Sequence, residues 1–140
     1  MTMTTPNFAR TFLLAFVLLA PLALAGCASD AGDEPSTQRQ ETKTFELRPG
    51  GSVEYKLDMA NGAKLDYSWS TSRPVSYDFH GDTGRDSFTS HKQGTALADQ
   101  QDDWSAPFAG RHGWYWKNNN AQPVTITLTT DGVYDVIDVV

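Results

Sequence analysis

Leu65-Asp66-Tyr67-Ser68-Trp69 and, beyond Ser72-Arg73-Pro74, Val75-Ser76-Tyr77-Asp78-Phe79 place a large apolar side chain at every second position with a polar one between. In an extended chain a period of two sends alternate side chains to opposite faces, the pattern of a half-buried antiparallel strand. The same alternation runs through Phe45 and Leu47, through Val53, Tyr55 and Leu57, and through Val124, Ile126 and Leu128 among threonines. Trp104, Ala106 and Phe108 alternate, Gly113 to Trp116 is an aromatic run, and Val133 to Val139 reads as a last strand after Asp131-Gly132. Pro49-Gly50-Gly51, Asn61-Gly62 and Ser72-Arg73-Pro74 predict the joints, with Asn-Gly as a hairpin turn. With no helical heptad and no long repeat, about eight short strands predict an all-β fold, an antiparallel β-sandwich or jelly roll.

Residues 80–103 break this rhythm. They are polar and glycine-containing, with Phe88, Ala96, Leu97 and Ala98 as the apolar markers. The expectation is a long loop carrying short strands near Asp86 to His91 and Gly94 to Ala98, lying as a solvated edge or serving as a functional loop.

The amino-terminal region has a separate logic. Met1 to Arg10 carries one positive charge, an apolar stretch follows from Phe12, and Leu24-Ala25-Gly26-Cys27 closes it with small residues before a lone cysteine. This is the layout of a secretory signal. Thr11 to Gly26, interrupted by Pro21, falls short of the roughly 20 apolar residues that a membrane-spanning helix needs. The segment resembles the lipobox of bacterial lipoprotein precursors. That resemblance implies cleavage before Cys27 and acylation of Cys27, with palmitate among the chains attached. Ala28 after the cysteine implies the periplasmic face of the outer membrane in preference to the inner membrane. Several acyl chains, at about 0.8 kcal/mol per buried methylene, hold a protein on a membrane without spanning it. Residues 27–41 are then the acylated cysteine and a flexible polar tether, and residues 42–140 the sandwich domain.

Cys27 is the one cysteine, so the domain has no thiol for a disulfide and depends on packed apolar surface. Its 4 Trp and 5 Tyr all lie between Phe45 and Tyr134 and supply that core. The whole chain carries a net charge of −6, made more negative by loss of residues 1–26, which hold one base and no acid. This argues against nucleic acid as a partner and leaves the membrane, through the lipid, and an envelope protein as the expected partners.

His112-Gly113-Trp114-Tyr115-Trp116-Lys117-Asn118, then Gln122-Pro123-Val124-Thr125-Ile126-Thr127-Leu128 and Gly132-Val133-Tyr134, resemble the closing hairpin of GOLD-type β-sandwiches and of small exported bacterial proteins that share this order. Tyr67-Ser68-Trp69 and Val75 to Gly81 resemble the middle strands of that bacterial group. The resemblance implies a GOLD-like sandwich acting as a non-catalytic recognition or assembly module.

The residues themselves offer little catalysis. There is no Gly-x-Ser-x-Gly elbow, and Ser87 near Asp86 and His91 is proximity without a triad. Asp82-Thr83-Gly84-Arg85-Asp86 lacks the ligand series and closing glutamate of a calcium loop and reads as a turn. His80 and His112, each followed by glycine, mark the best candidate face, with Trp114, Tyr115 and Trp116 as an aromatic platform for a ligand or protein. Because neighbours in a strand point oppositely, at least one of these three aromatics must face away from the core. No cofactor is expected. The alternative is a copper or zinc accessory protein in which His80, His112, Asp78 and Asp82 hold the metal, since imidazole and carboxylate suit both ions. Against it, the histidines show no close metal-ligand spacing, and a strand-end imidazole more simply bonds a backbone carbonyl or an aspartate.

Overall fold

The structure, a computed structural model, describes residues 37–84 and 87–139. The expected signal segment, the expected lipidation site Cys27 and the expected tether up to residue 36 lie outside these residues. Seven antiparallel strands make up the fold: β1 (Gln38–Leu47), β2 (Ser52–Met59), β3 (Lys64–Asp82), β4 (Thr89–Ser105), β5 (Gly110–Lys117), β6 (Val124–Val133) and β7 (Asp135–Val139). No helix occurs among the described residues.

The architecture turns on β3, 19 residues long. Leu65 to Thr71 pair with β6, whereas Ser76 to Asp82 pair with β5. β4 follows the other edge of β3 from Gly81 back to Lys64, with register shifts around Val75 and Phe79. One bent two-stranded ribbon therefore belongs to two layers. The first is β1-β6-β3-β4 and the second β7-β2-β5-β3-β4. Rings from the two layers meet between them: Phe45 lies 5.6 Å from Tyr55, Tyr67 5.0 Å from Trp114, and Trp69 6.1 Å from Trp116. The fold is an all-β, antiparallel arrangement of the jelly-roll kind.

The period-two reading places the core correctly. Tyr55, Leu57, Leu65, Tyr67, Trp69, Val75, Tyr77, Phe79, Ile126 and Leu128 are all buried. The joints behave differently. Ser72-Arg73-Pro74 does not end a strand; it is the bend where β3 changes partners, and β3 is one element rather than two. Gly62, at φ +80°, makes the expected turn, yet β2 and β3 are not a hairpin, because the chain crosses there from one layer to the other. Nor do β5 and β6 form the closing hairpin that the GOLD resemblance implies: each pairs with β3 instead.

Asp131-Gly132 is not the final turn. β6 continues through it, and Gly132 is needed because a Cβ there would strike the Lys64 carbonyl on β3. Residues 89–105 form a full edge strand in place of the expected loop. Its side chains are mostly exposed, so the strand carries no apolar alternation, and its order comes from backbone pairing with β3. At the other edge, β1 takes in Gln38 to Glu41, assigned to the tether by their polarity. They are held by the β6 ladder, by Arg39 to Asp135 at 2.8 Å, and by Gln38 to Asp131 at 2.7 Å. Asn118 is fully buried and donates to the Leu47, Arg48 and Gln122 carbonyls, pinning the β5 end to the β1–β2 turn.

Adjacent residues on β5 should therefore differ sharply on truncation. Trp114 is fully buried, 4.8 Å from Phe79, whereas Tyr115 is 37% exposed. Trp114→Ala is expected to cost about 3–5 kcal/mol and Tyr115→Ala no more than about 0.5 kcal/mol, read as the shift in urea midpoint. Equal losses would contradict this division of faces.

Candidate functional site

Strand register sorts the expected site residues onto two faces of the second layer. Gly81 pairs with His112 and His80 with Gly113, so the two histidines are neighbours in the backbone ladder. Their side chains nevertheless point in opposite directions. His112 shares the inward parity of Trp114 and Trp116, while His80 shares the outward parity of Asp78 and Asp82. His80, His112, Asp78 and Asp82 thus do not converge on one metal, and among the described residues no group of three or more His, Cys, Asp or Glu side chains is arranged to hold one. The aromatic platform is divided likewise: Trp114 and Trp116 are core, and Tyr115 alone of the three faces out.

Inside, His112 is fully buried, and its Nε2–H donates to the Phe108 carbonyl at 3.0 Å. That leaves Nδ1 as an acceptor, and His91 Nε2–H donates to it at 3.1 Å. Gly81 makes the room: a Cβ there would collide with His112 Nδ1 and come within 2.9 Å of His91 Nε2. Phe79, Trp104 and Phe108 surround His91 with ring centroids 5.3, 4.8 and 6.1 Å away. Burial pushes the His91 imidazole down to about 4, with the neighbouring His112 and His80 adding to the effect. Burial also lowers His112. The pair is a neutral, structural hydrogen bond inside the aromatic core.

Outside, three rungs cross β2, β5 and β3: Glu54–Tyr115–Asp78, Lys56–Gly113–His80 and Asp58–Arg111–Asp82. Gly113 carries no side chain on the middle rung, and a Cβ there would strike the Tyr55 carbonyl. Lys56 reaches across it. Its Nζ lies 2.6 Å from His80 Nε2, 3.3 Å from Glu54 Oε1 and 3.3 Å from Asp82 Oδ2. His80 Nδ1 faces the Asp78 carbonyl on its own strand at 3.2 Å, and its Nε2 meets Glu54 Oε1 at 2.9 Å as well as the lysine. Lys56 and His80 are 8% and 5% exposed, so this ammonium is a built-in cation ringed by one imidazole and two carboxylates. Arg111 completes the chain through Nε to Asp82 at 2.7 Å. Burial would raise the Asp82 carboxyl, but hydrogen bonds from Arg111 and Lys56 outweigh it and hold the group below the usual carboxylate range.

Phe88 stacks on His80 at 4.8 Å while remaining 65% exposed. Together with Glu54, Asp78, His80 and Tyr115 it encloses a notch of about 230 Å³. Next to it, Lys56, Asp82, Arg111 and Ile137 help to line a second hollow of about 340 Å³. Glu54, Lys56, Phe88 and Ile137 were not legible as site residues. Glu54 and Lys56 occupy the polar positions of an alternating strand, and Phe88 stood in the expected loop; the available signal was the shared outward parity of Glu54, Lys56 and Asp58 on β2.

The His91–His112 pair fixes a pH dependence. An unfolded histidine titrates near about 6.5, and the folded groups lie lower, so the unfolded chain binds protons first as pH falls. The pair's contribution to stability is complete above about 6.5 and is lost as pH drops toward about 4. Melting temperature should fall across that window, and His91→Gln should flatten the fall. A wild-type melting temperature constant over the window would show that the pair is not held in neutral form.

No protein-family model and no curated protein sequence matches the chain. Among solved structures it is similar to a Yersinia pseudotuberculosis-derived mitogen, with TM-score 0.54 and 14% identity over 73% of this chain and 92% of that one. A de novo designed double-stranded β-helix gives TM-score 0.42 and 11% identity over 64% of this chain and 97% of that one. At 14% identity the likeness to the mitogen concerns the fold alone, and the fold it shares is antiparallel and β-rich.

Proposed function

We propose that this chain is a lipid-anchored envelope recognition module that binds a protein or small ligand through the outer face of its second layer, with no catalytic role. One observation carries the reading. Among the described residues five large apolar side chains are exposed, and three of them, Phe88, Tyr115 and Ile137, border the two hollows over the buried Lys56 and His80. Exposed apolar groups gathered around ordered polar ones are the surface expected of a binding site. The outer face of the first layer is different, a grid of short polar side chains in which Thr42, Thr129, Ser68 and Gln101 share one rung.

Anchoring through Cys27, on the periplasmic side of the outer membrane, rests on the Leu24-Ala25-Gly26-Cys27 motif. A GOLD-like kinship is supported by the two-layer all-β fold but not by the carboxyl-terminal residues, whose implied closing hairpin does not form. Metabolic labelling with a palmitate analogue should mark the wild-type chain and leave Cys27→Ala unmarked. A photo-crosslinking side chain at position 115 should yield a discrete adduct in cells that Phe88→Ser removes, while the same group at position 68 yields none. Adducts from position 68 alone would move the binding face to the other layer.

A further inference from the structure

Two of the three outer rungs, the first and the third, place acids on both flanking strands. On the third, Arg111 stands on the central strand between Asp58 and Asp82, so two acids flank a cation. On the first, Glu54 and Asp78 flank Tyr115 in the same geometry, and the central position carries an aromatic ring instead of a charge. Glu54 meets both the Lys56 ammonium and His80 Nε2 through Oε1. Asp78 has no lysine or arginine partner among the described residues; its contacts are the Ser90 hydroxyl at 2.8 Å and the His80 ring at 3.9 Å. Across the gap stands Phe88, exposed although stacked on His80.

We propose that the notch between Tyr115 and Phe88 takes an organic cation, the guanidinium or ammonium of an arginine or lysine side chain presented by a partner protein. This rests on the recognition reading above and names its chemistry. Aromatic faces attract cations through their quadrupole, and arginine also stacks on them. Two carboxylates at the rim supply the acceptors that a guanidinium or ammonium needs once it leaves water. The notch of about 230 Å³ admits the head and distal methylenes of one such side chain. The chain's net charge of −6 favours approach of a basic partner. The sheet supplies its own central cation on the Arg111 rung, four residues away along β5, and leaves the centre of this rung to be completed from outside.

The test uses the full chain in detergent micelles, titrated with Nα-acetyl-arginine amide, Nα-acetyl-lysine amide and the uncharged Nα-acetyl-norleucine amide, and read by backbone amide shifts. The cations should give saturable shifts centred on Asp78, Phe88 and Tyr115, weakened by added salt. Phe88→Ala and Asp78→Asn should each raise the apparent Kd about fivefold. Both residues are surface-placed, and unchanged shifts elsewhere check that each variant is folded. Equal shifts from the norleucine amide would overturn the cation while leaving the recognition reading intact. Shifts centred on Asp66 and Asp131 of the other layer would overturn it as diffuse charge attraction. No shift at the notch with any probe would overturn it too, and the crosslink at position 115, which needs no cation, then decides the wider reading separately.

Discussion

Everything in this molecule hangs on the exchange of hydrogen-bond partners along β3. A strand that pairs with β6 over its first half and β5 over its second cannot stay flat, and the bend at residues 72–75 carries the ribbon from one layer to the other. The inward residues of one continuous strand then meet each other across the core. Trp69 and Tyr77, on either side of the bend, lie 5.0 Å apart edge to face, and Tyr67 and Phe79 lie 5.1 Å apart. Such pairs add about 0.5–1.5 kcal/mol each beyond burial, so the bend and the packing reinforce each other. Pro74, with no amide hydrogen to lose, is tolerated where the ladder to both partners is interrupted.

Three glycines translate that topology into close contacts. Gly132 lets β6 approach β3, Gly113 lets β5 approach β2, and Gly81 vacates the volume that the His91–His112 pair fills. Two of them follow directly on the histidines, and their proximity in sequence suggested one shared site. The ladder produces the opposite result, with one histidine sealed among aromatic rings and the other turned outward onto Lys56. Lys56 also accounts for the outward carboxylates, because an ammonium stands where a metal between Glu54, His80 and Asp82 would have to stand.

The alternation that builds the core also builds the surface. Each inward tryptophan on β5 fixes an outward neighbour, so burying Trp114 and Trp116 presents Tyr115. Register with β2 and β3 then decides that its companions are Glu54 and Asp78. The polarity of the two outer faces differs for the same reason: hydroxyl, amide and carboxylate side chains sit outward on β1, β3 and β6, and the exposed rings sit outward on the second layer.

The sequence by itself determined the fold class, the buried residues and the outward position of an aromatic on β5, because each follows from local period-two alternation. The turn at Gly62 was legible for the same local reason, the need for a positive φ. Pairing was not legible. An Asn-Gly turn says that the chain reverses, but whether the strands on either side bond to each other or enter different layers depends on contacts tens of residues away. Edge strand β4 and the start of β1 were hidden because polar strands signal nothing in composition and are held by the backbone ladder. The outer site was hidden for a related reason: Lys56, Gly113 and His80 are separated along the chain, and only register across three strands sets an ammonium against an imidazole over a missing side chain.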